Sequence, residues 1–474
     1  MSLFSIQINK ESLPIPLYNN ARLYSFYDPI KEATRYADQK YSGGKNIIII
    51  GDVGFYLAKV LSCHQARPKL FVIAPRLKCD QATLLQHNLP PQAIFFDTDN
   101  LTTLLAKLDK ALTDKMLFET QILVWQTALN LVPNLKELAS TIYCYFSQRV
   151  ATLKTANHFG FNWIKNGINH SLSSCQYHTI PKSNKPVVIV ASGASLNGLT
   201  NFLKKIRERV TLICVSSAYL TLLHYKIDPD YLVATDGGYY AKRLLAPLHY
   251  SSKNLPIFIT TLHGACTNYP KVALIDQGSI VDKALSGFHK YAFSLEETPS
   301  VSCTALLLAR KIWEQEIFVV GLDLGSNNEK LHCVPHISIN RLHTNSSRLN
   351  QVQCSCYNFF VGGSLVSLQR YKEWFLEYTK RDTNWYRVEA TMATELKNTI
   401  TASDAYNLIC SHKKNEHHSS TPTSYEKKIT PTKNEIAAAL TKHKKAILED
   451  FYPNFEDEQK AEIWKRIMAF TKWN

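Results

Sequence analysis

Short apolar runs of strand length, each closed by a turn and followed by a helix-period stretch, recur along this chain of 474 residues. That alternation constrains the fold more than any other feature. Near position 45, KNIIIIGDVGFYLAKVL reads as a strand, a glycine-containing turn and an amphipathic helix. LFVIAP at 70–75, AIFFD at 93–97 and ILVW at 122–125 follow as strands, separated by helical stretches such as LTTLLAKLDKAL at 101–112. A second series starts at Val187 with VVIVASGASLNGL. It continues through LICVSSA at 212–218, YLVATDGG at 231–238, PIFITT at 256–261, VALIDQG at 272–278 and EIFVVGLDLG at 316–325. Strands alternating with helices imply parallel βαβ units.

The expected fold class is therefore α/β: two Rossmann-like parallel-sheet units joined by a helical connector, with a small C-terminal helical region. The expected boundaries are an N-terminal unit at 1–130, whose first 40 residues read as a lead-in without period, a connector at 131–180, and a central domain at 181–400. A polar linker at 401–431 and C-terminal helices at 432–474 complete the chain. Apolar residues three and four apart mark the connector as helical. TIPKSNKP at 179–186 then breaks the helix with two prolines. Thr432 and Glu435 have capping-box spacing at the start of the first C-terminal helix. Ile463, Trp464, Ile467, Met468 and Phe470 can form the packed face of the second. Residues 326–365 form a long stretch rich in His, Asn, Ser and Cys, and a loop of that length in a compact domain is usually functional or mobile.

Composition narrows the classes of function. Hydrophobic residues make up 45% and charged residues 20%, which is globular and excludes a disordered chain or a collagen-like fibre. No apolar run approaches the roughly 20 residues needed to span a bilayer. MSLFSIQINKESLP lacks a basic region followed by an apolar core, so no secretory signal is expected. Eleven scattered cysteines without a CxxC pair read as reduced thiols in a cytoplasmic protein. Cys354, Cys356 and His343 lack the second ligand pair that a zinc site needs. The net charge is +15, from 54 basic and 39 acidic residues. It asks for an acidic partner: nucleic acid, a membrane surface or a phosphorylated small molecule.

Three segments carry chemistry. In VVIVASGASLNGL a buried strand runs into Ser192, Gly193, Ala194 and Ser195 and then a helix. Gly193 permits a close backbone approach, the serines offer hydroxyls, and the helix N-terminus favours an anion, so the turn suits a phosphate. A plain turn with Ser as N-cap has the same pattern. In IDPDYLVATDGG, Asp236 ends a strand, where ligands of open α/β sheets bind. It can accept from a sugar hydroxyl or bind a cation, and a simple Asp-Gly turn is the structural alternative. In SVSCTALLLARKIWEQEIFVVGLDLG, Ser302 and Thr304 open an apolar helix and Asp323 ends the next strand. His332 follows, then His336 and His343; a histidine of near-neutral pKa is the natural base for an alcohol acceptor. The Gly51–Gly54 turn of the first unit lacks the acidic residue usual at the end of the second strand, since LFVIAP ends in Pro75. It reads as a structural or degenerate Rossmann-like turn.

Together these segments resemble the motility-associated factor (Maf-type) flagellin glycosyltransferases of bacteria. The central domain of that family is similar to archaeal 6-hydroxymethylpterin pyrophosphokinases and to bacterial sialyltransferases. The resemblance rests on SGASL at 192–196, PDYLVATDGG at 229–238, SCTALLLA at 302–309, VGLDLG at 320–325, KLHC at 330–333 and VGGSLVSLQRYKEWFLEY at 361–378. It covers roughly 180–380. Ala194 and Gly237 stand where the family has proline, and IWEQE stands where relatives usually have a glycine.

The resemblance implies transfer of a nonulosonic acid, of pseudaminic or legionaminic type, from its CMP-activated form to Ser or Thr hydroxyls of flagellin. On that basis Ser192, Gly193, Ser195, Ser302 and Thr304 hold the CMP phosphate and ribose. Asp236 orients the donor, Asp323 positions donor or acceptor, and His332 takes the acceptor proton. No cofactor is required, and Asp236 or Asp323 offers oxygen ligands should a divalent metal take part. The expected partners are the CMP-sugar and flagellin, with no nucleic acid and no membrane span. The alternatives are a pterin pyrophosphokinase using ATP and Mg²⁺, and a flagellin-binding protein without activity.

Overall fold

The computed structural model describes residues 4–75, 88–98, 100–173, 176–178, 183–246, 248, 255–263, 271–289, 291–325, 332–337, 347, 365–390, 393, 395–412, 425–426 and 430–472. The chain divides into two compact units. The first comprises Met1–His158 with Glu449–Lys460, and the second Phe159–Leu448 with Ala461–Asn474.

The first unit opens with an antiparallel sheet of three strands, β1 (Phe4–Ile8), β2 (Pro14–Tyr18) and β3 (Ala21–Arg22), where the sequence shows only a lead-in. Pro14 and Pro16 hide β2, because proline brings no ladder donor and argues against a strand. The helix Pro29–Lys40 follows, its first turn capped by Asp28. The Rossmann-like sheet is parallel, in the order β6-β5-β4-β7, from β4 (Asn46–Ile50), β5 (Lys69–Ala74), β6 (Ile94–Asp97) and β7 (Thr120–Val124). All five residues of β4 are buried, which explains the unbroken IIII: a parallel strand covered by helices has no polar face. The helix Leu135–Leu172 leaves this unit as the expected connector and runs for 38 residues.

The second unit is built on one large sheet in the order β17-β16-β15-β9-β10-β11-β12-β13-β8-β18, with β14 also paired to β13. Its strands are β8 (Gln176–His178), β9 (Val187–Val190), β10 (Thr211–Val215), β11 (Tyr231–Ala234), β12 (Ile257–Thr260), β13 (Lys271–Asp276), β14 (Tyr291–Ser294), β15 (Ile317–Val320), β16 (Trp385–Val388), β17 (Thr399–Ile400) and β18 (Tyr425–Glu426). Among the described residues, every ladder of this sheet is parallel except β8–β18. From β9 the chain steps outward through β10, β11, β12 and β13. It then returns to the other side of β9 to lay down β15, β16 and β17. The strand order therefore reverses between β9 and β15, whose registers pair Val187 with Ile317 and Val190 with Val320. The crevice beyond the carboxyl ends at such a reversal is where open α/β sheets bind ligands.

Two details differ from the sequence reading. Residues of the expected 401–431 linker form a helix, Ala402–Ser411, that buries Ala405 and Ile409 in the core of the second unit. The rest of the polar stretch, from 413 to 424, lies outside the described residues. The C-terminal region holds three helices where two were expected, Lys433–Lys442, Lys444–Phe451 and Asp457–Lys472. The expected capping box is present, with Thr432 and Glu435 each bonding the other's backbone N–H. Trp464 and Ile467 form the buried face of the last helix. Among the described residues, no helix is long and apolar enough to cross a membrane.

Candidate functional site

The turns after β9 and β15 cross at the sheet's reversal point. Gly193 N–H donates to the Gly321 carbonyl at 2.8 Å, and Ala191 N–H to the Val320 carbonyl at 2.8 Å. A Cβ on Gly193 would lie 2.5 Å from Gly321 O and 2.6 Å from Asp323 Oδ2. Gly321 has φ +73° and would press a Cβ into the Ala191 carbonyl. Both glycines are therefore set by close backbone approach.

That crossing decides what the Ser192–Ser195 turn can do. Ser195 N–H donates to Asp323 Oδ2 at 2.9 Å, and Ser195 Oγ–H to Asp323 Oδ1 at 2.5 Å. Asp323 is 2% exposed. The phosphate cradle expected from Ser195 is thus filled by the chain's own carboxylate, and Asp323 holds the turn instead of reaching into the crevice. The turn leads into a 3₁₀ segment, Ala194–Leu199, before the helix Thr200–Ile206, so an α-helical N-terminus does not directly follow Ser195. Buried Arg387 on β16 supplies the countercharge for Asp323. Its guanidinium donates to the Leu322 carbonyl at 3.0 Å and to the Ala393 carbonyl at 2.9 Å. Burial pushes its pKa down to about 10, partly offset by Asp323 and Glu395.

Beside the turn, Ser192 Oγ lies 3.4 Å from His332 Nδ1 and accepts from Ser217 Oγ at 2.9 Å. The segment carrying His332 is pinned on three sides. Cys333 N–H donates to the Ser192 carbonyl at 2.9 Å. Asn197 pairs with the backbone of Val334 through both amide atoms, and Thr221 donates to the Pro335 carbonyl at 2.8 Å. His336 stacks on His332 with ring centroids 4.2 Å apart and planes 12° apart. Burial lowers the His332 pKa below its ordinary value. Burial and then His332 take His336 down to about 3. Both rings are neutral near pH 7, so His332 is ready to accept a proton.

The remaining expected residues lie at the same carboxyl edge with other partners. Asp236 is exposed beyond β11 and accepts from Gly238 N–H at 2.8 Å. A Cβ at Gly237 would collide with the Trp163 ring, so the position needs glycine. The helix Val301–Ile312 is capped by Ser300, with Ser302 half-buried in its first turn. Thr304 is fully buried and bonded to Thr298 Oγ1 at 2.6 Å, so the expectation that it touches a ligand is corrected: its hydroxyl packs the helix start. His343, Cys354 and Cys356 lie outside the described residues. Sequence reasoning missed Ser217, Asn197, Thr221 and Arg387, and only the SSA run after β10 carried any signal for them. Among the described residues, no group of three His, Cys, Asp or Glu side chains is arranged to hold a metal ion.

The turn of the first unit is closed in a similar way. Asp52 is fully buried and accepts from Ala58 N–H at 2.7 Å, from Leu57 N–H, and from the Tyr24 hydroxyl. Tyr24 stacks on Trp125, 4.5 Å between centroids, and a Cβ at Gly54 would touch its ring. An internal carboxylate and an aromatic plug stand where a nucleotide phosphate binds in a functional Rossmann turn.

Comparison with known proteins bears on one part of the motif reading, the likeness of the central domain to the 6-hydroxymethylpterin enzymes. Residues 161–329 match the family described as 6-hydroxymethylpterin diphosphokinase MptE-like. The matched stretch contains the whole reversal point, from β9 to Asp323. Two proteins of Treponema pallidum (strain Nichols), both described as uncharacterized, are similar to the chain, at 26% identity over 274 residues and 24% over 236. These matches cover 55% and 46% of this chain, and it spans only 58% and 40% of those relatives. The solved structure of a Maf glycosyltransferase from Magnetospirillum magneticum AMB-1 is also similar, with TM-score 0.49 and 12% identity over 100% of this chain and 90% of that one.

Proposed function

We propose that the MptE-like stretch transfers an activated anionic group to a hydroxyl acceptor, and that the group is a nonulosonic acid carried by CMP. The observation that carries the reading is His332: a half-buried, neutral imidazole held beside Ser192 where the strand order reverses. In this reading Ser192 donates its hydroxyl proton to the donor phosphate, Asp236 orients the sugar or ribose, and Ser302 lines the far side. Asp323 and Ser195 hold the turn. His332 takes the acceptor proton while the bond between the anomeric carbon and the CMP oxygen breaks and the new glycosidic bond forms. General-base help of this kind contributes about 10²–10⁴-fold. The acceptor is a Ser or Thr of flagellin, met in the cytoplasm, which follows from the motif resemblance. The flagellum and motility enter by the same route.

Co-expression of flagellin with this chain and a CMP-nonulosonate pathway, read by intact mass, tests the reading. A mass increment is expected with the native chain and none with His332→Gln. No increment with any nonulosonate overturns it. A second reading draws on the MptE-like match: diphosphate transfer from ATP to a hydroxymethylpterin. It uses the same base and a hydroxyl acceptor, and it requires Mg²⁺. Magnesium-dependent AMP formation with the pterin would favour it over the sugar.

A further inference from the structure

A cleft of about 640 Å³ opens in the first unit beyond the carboxyl end of β7, between the helix Pro29–Lys40 and the start of the helix Gln126–Leu131. Its size is that of a small-molecule site. The frame is fixed from within. The Tyr36 hydroxyl donates to the Val124 carbonyl at 2.6 Å and Trp125 Nε1–H to the Leu23 carbonyl at 2.8 Å, so both floor rings are held. The rim is held as well. Buried Asn9 donates to the Phe26 carbonyl at 3.1 Å and to the Tyr27 carbonyl at 3.4 Å. The Tyr27 side chain is 83% exposed. A fixed backbone thus presents a flat ring at the mouth of the cleft.

The hydrogen-bonding capacity left over has both signs. Lys31, Arg35 and Gln39 recur four residues apart, so they stand in a row along one face of their helix. Among the described residues, neither Lys31 Nζ nor the Arg35 guanidinium is paired. Asp28 and Glu32 each spend one oxygen on a backbone N–H, of Lys31 at 2.8 Å and of Ser25 at 2.6 Å, and keep the other. A bare phosphate would meet two carboxylates beside its two cations. A polyhydroxylated acid can use the whole set. Its carboxylate takes the cations, and its hydroxyls, which donate and accept, take Asp28, Glu32 and Gln39. The C–H side of its ring can lie on the negative face of Tyr27.

We infer that this cleft binds an acidic sugar through Arg35, Lys31 and Tyr27. The reversal point belongs to the other unit, so the site is a second one and does not depend on the transfer reading.

Calorimetric titration of the full chain with N-acetylneuraminic acid, in saturating CMP at neutral pH, tests this. Binding is expected with CMP present and unchanged in His332→Gln. Arg35→Ala is expected to weaken it about tenfold, the size of one charge-assisted hydrogen bond, and Tyr27→Ala severalfold. The carboxamide of the same sugar, which lacks the charge, is expected to bind about tenfold more weakly. Both side chains are exposed, so native thermal unfolding should persist in both variants. Should Arg35→Ala not fold, Arg35→Gln, which keeps helix propensity, is expected to weaken binding likewise. No binding of the acid, equal binding in the Arg35 and Tyr27 variants, equal binding of the carboxamide, or displacement by CMP overturns the inference. Inorganic phosphate binding as tightly as the sugar also overturns it, because the cleft is then a plain anion site. No transfer is read, so failure of the flagellin assay leaves this result standing.

Discussion

Burial of ionisable side chains gives each unit its own dependence on pH. Asp52 is fully buried, and burial raises its pKa from 3.8 to about 6 despite its hydrogen bonds to Tyr24 and to the following helix. Between these values the folded state binds more protons than the unfolded one, so stability falls as pH rises through the window. At 1.36 kcal/mol per unit this is about 3 kcal/mol. Unfolding of the full chain by denaturant at about pH 4 and pH 7 checks it, and Asp52→Asn is expected to flatten that slope. His336 works in the opposite sense. Its pKa falls from 6.5 to about 3, so the unfolded state binds more protons there and stability is lost as pH drops below 6.5. The loss reaches roughly 5 kcal/mol by pH 3. Acid titration of unfolding should show His336→Asn less acid-sensitive than the native chain, and an equal sensitivity would mean that His336 is not the group responsible.

At the scale of elements, the turns after β9 and β15 behave as one part. Gly193→Ala forces a Cβ against a carbonyl oxygen and a carboxylate that are themselves fixed, at 2.5 and 2.6 Å. A loss of about 2–4 kcal/mol is expected, as for other overpacked sites. Gly198, in the same turn region, would meet nothing within 4 Å of an added Cβ and serves as the control. Thermal unfolding should drop for Gly193→Ala and hold or rise slightly for Gly198→Ala. The strands themselves were legible, because fully buried parallel strands read as unbroken apolar runs: IIII, VVIV and IFVV all fall where expected. β16 was not legible, because its WYRV places a charged residue in a buried strand. Only the structure reveals the carbonyls that accept from Arg387. The helix Ala402–Ser411 was missed for a related reason, since just Ala405 and Ile409 of its residues are fully buried. Of the candidate site, the strand ends were readable from the apolar runs, whereas His332 was distinguished from His336 and His343 by the motif resemblance alone. Ser195 and Asp323 bond each other across 128 residues, and Thr304 turns inward. Neither fact has a local pattern in the sequence.

For the whole molecule, the net charge of +15 is partly a property of one segment. Residues 411–445 hold eight lysines and three glutamates, which is +5 of the total. Tyr425 is the only Phe, Trp or Tyr in that run, too few to stack successive bases as single-strand binders do. Binding to duplex DNA, followed by fluorescence anisotropy, is therefore expected to vanish between about 50 and 200 mM salt, as for contacts with phosphates alone. Affinity that survives such salt would point to a nucleic-acid role. The crossed glycines have a consequence for anyone recombining this chain with a relative. Gly193 and Gly321 share one backbone contact, yet they belong to distant stretches of sequence. A graft of the segment after β9 that leaves the segment after β15 behind would import one half of a clasp. Working chimaeras should be those whose junctions keep 187–200 and 317–325 from the same parent.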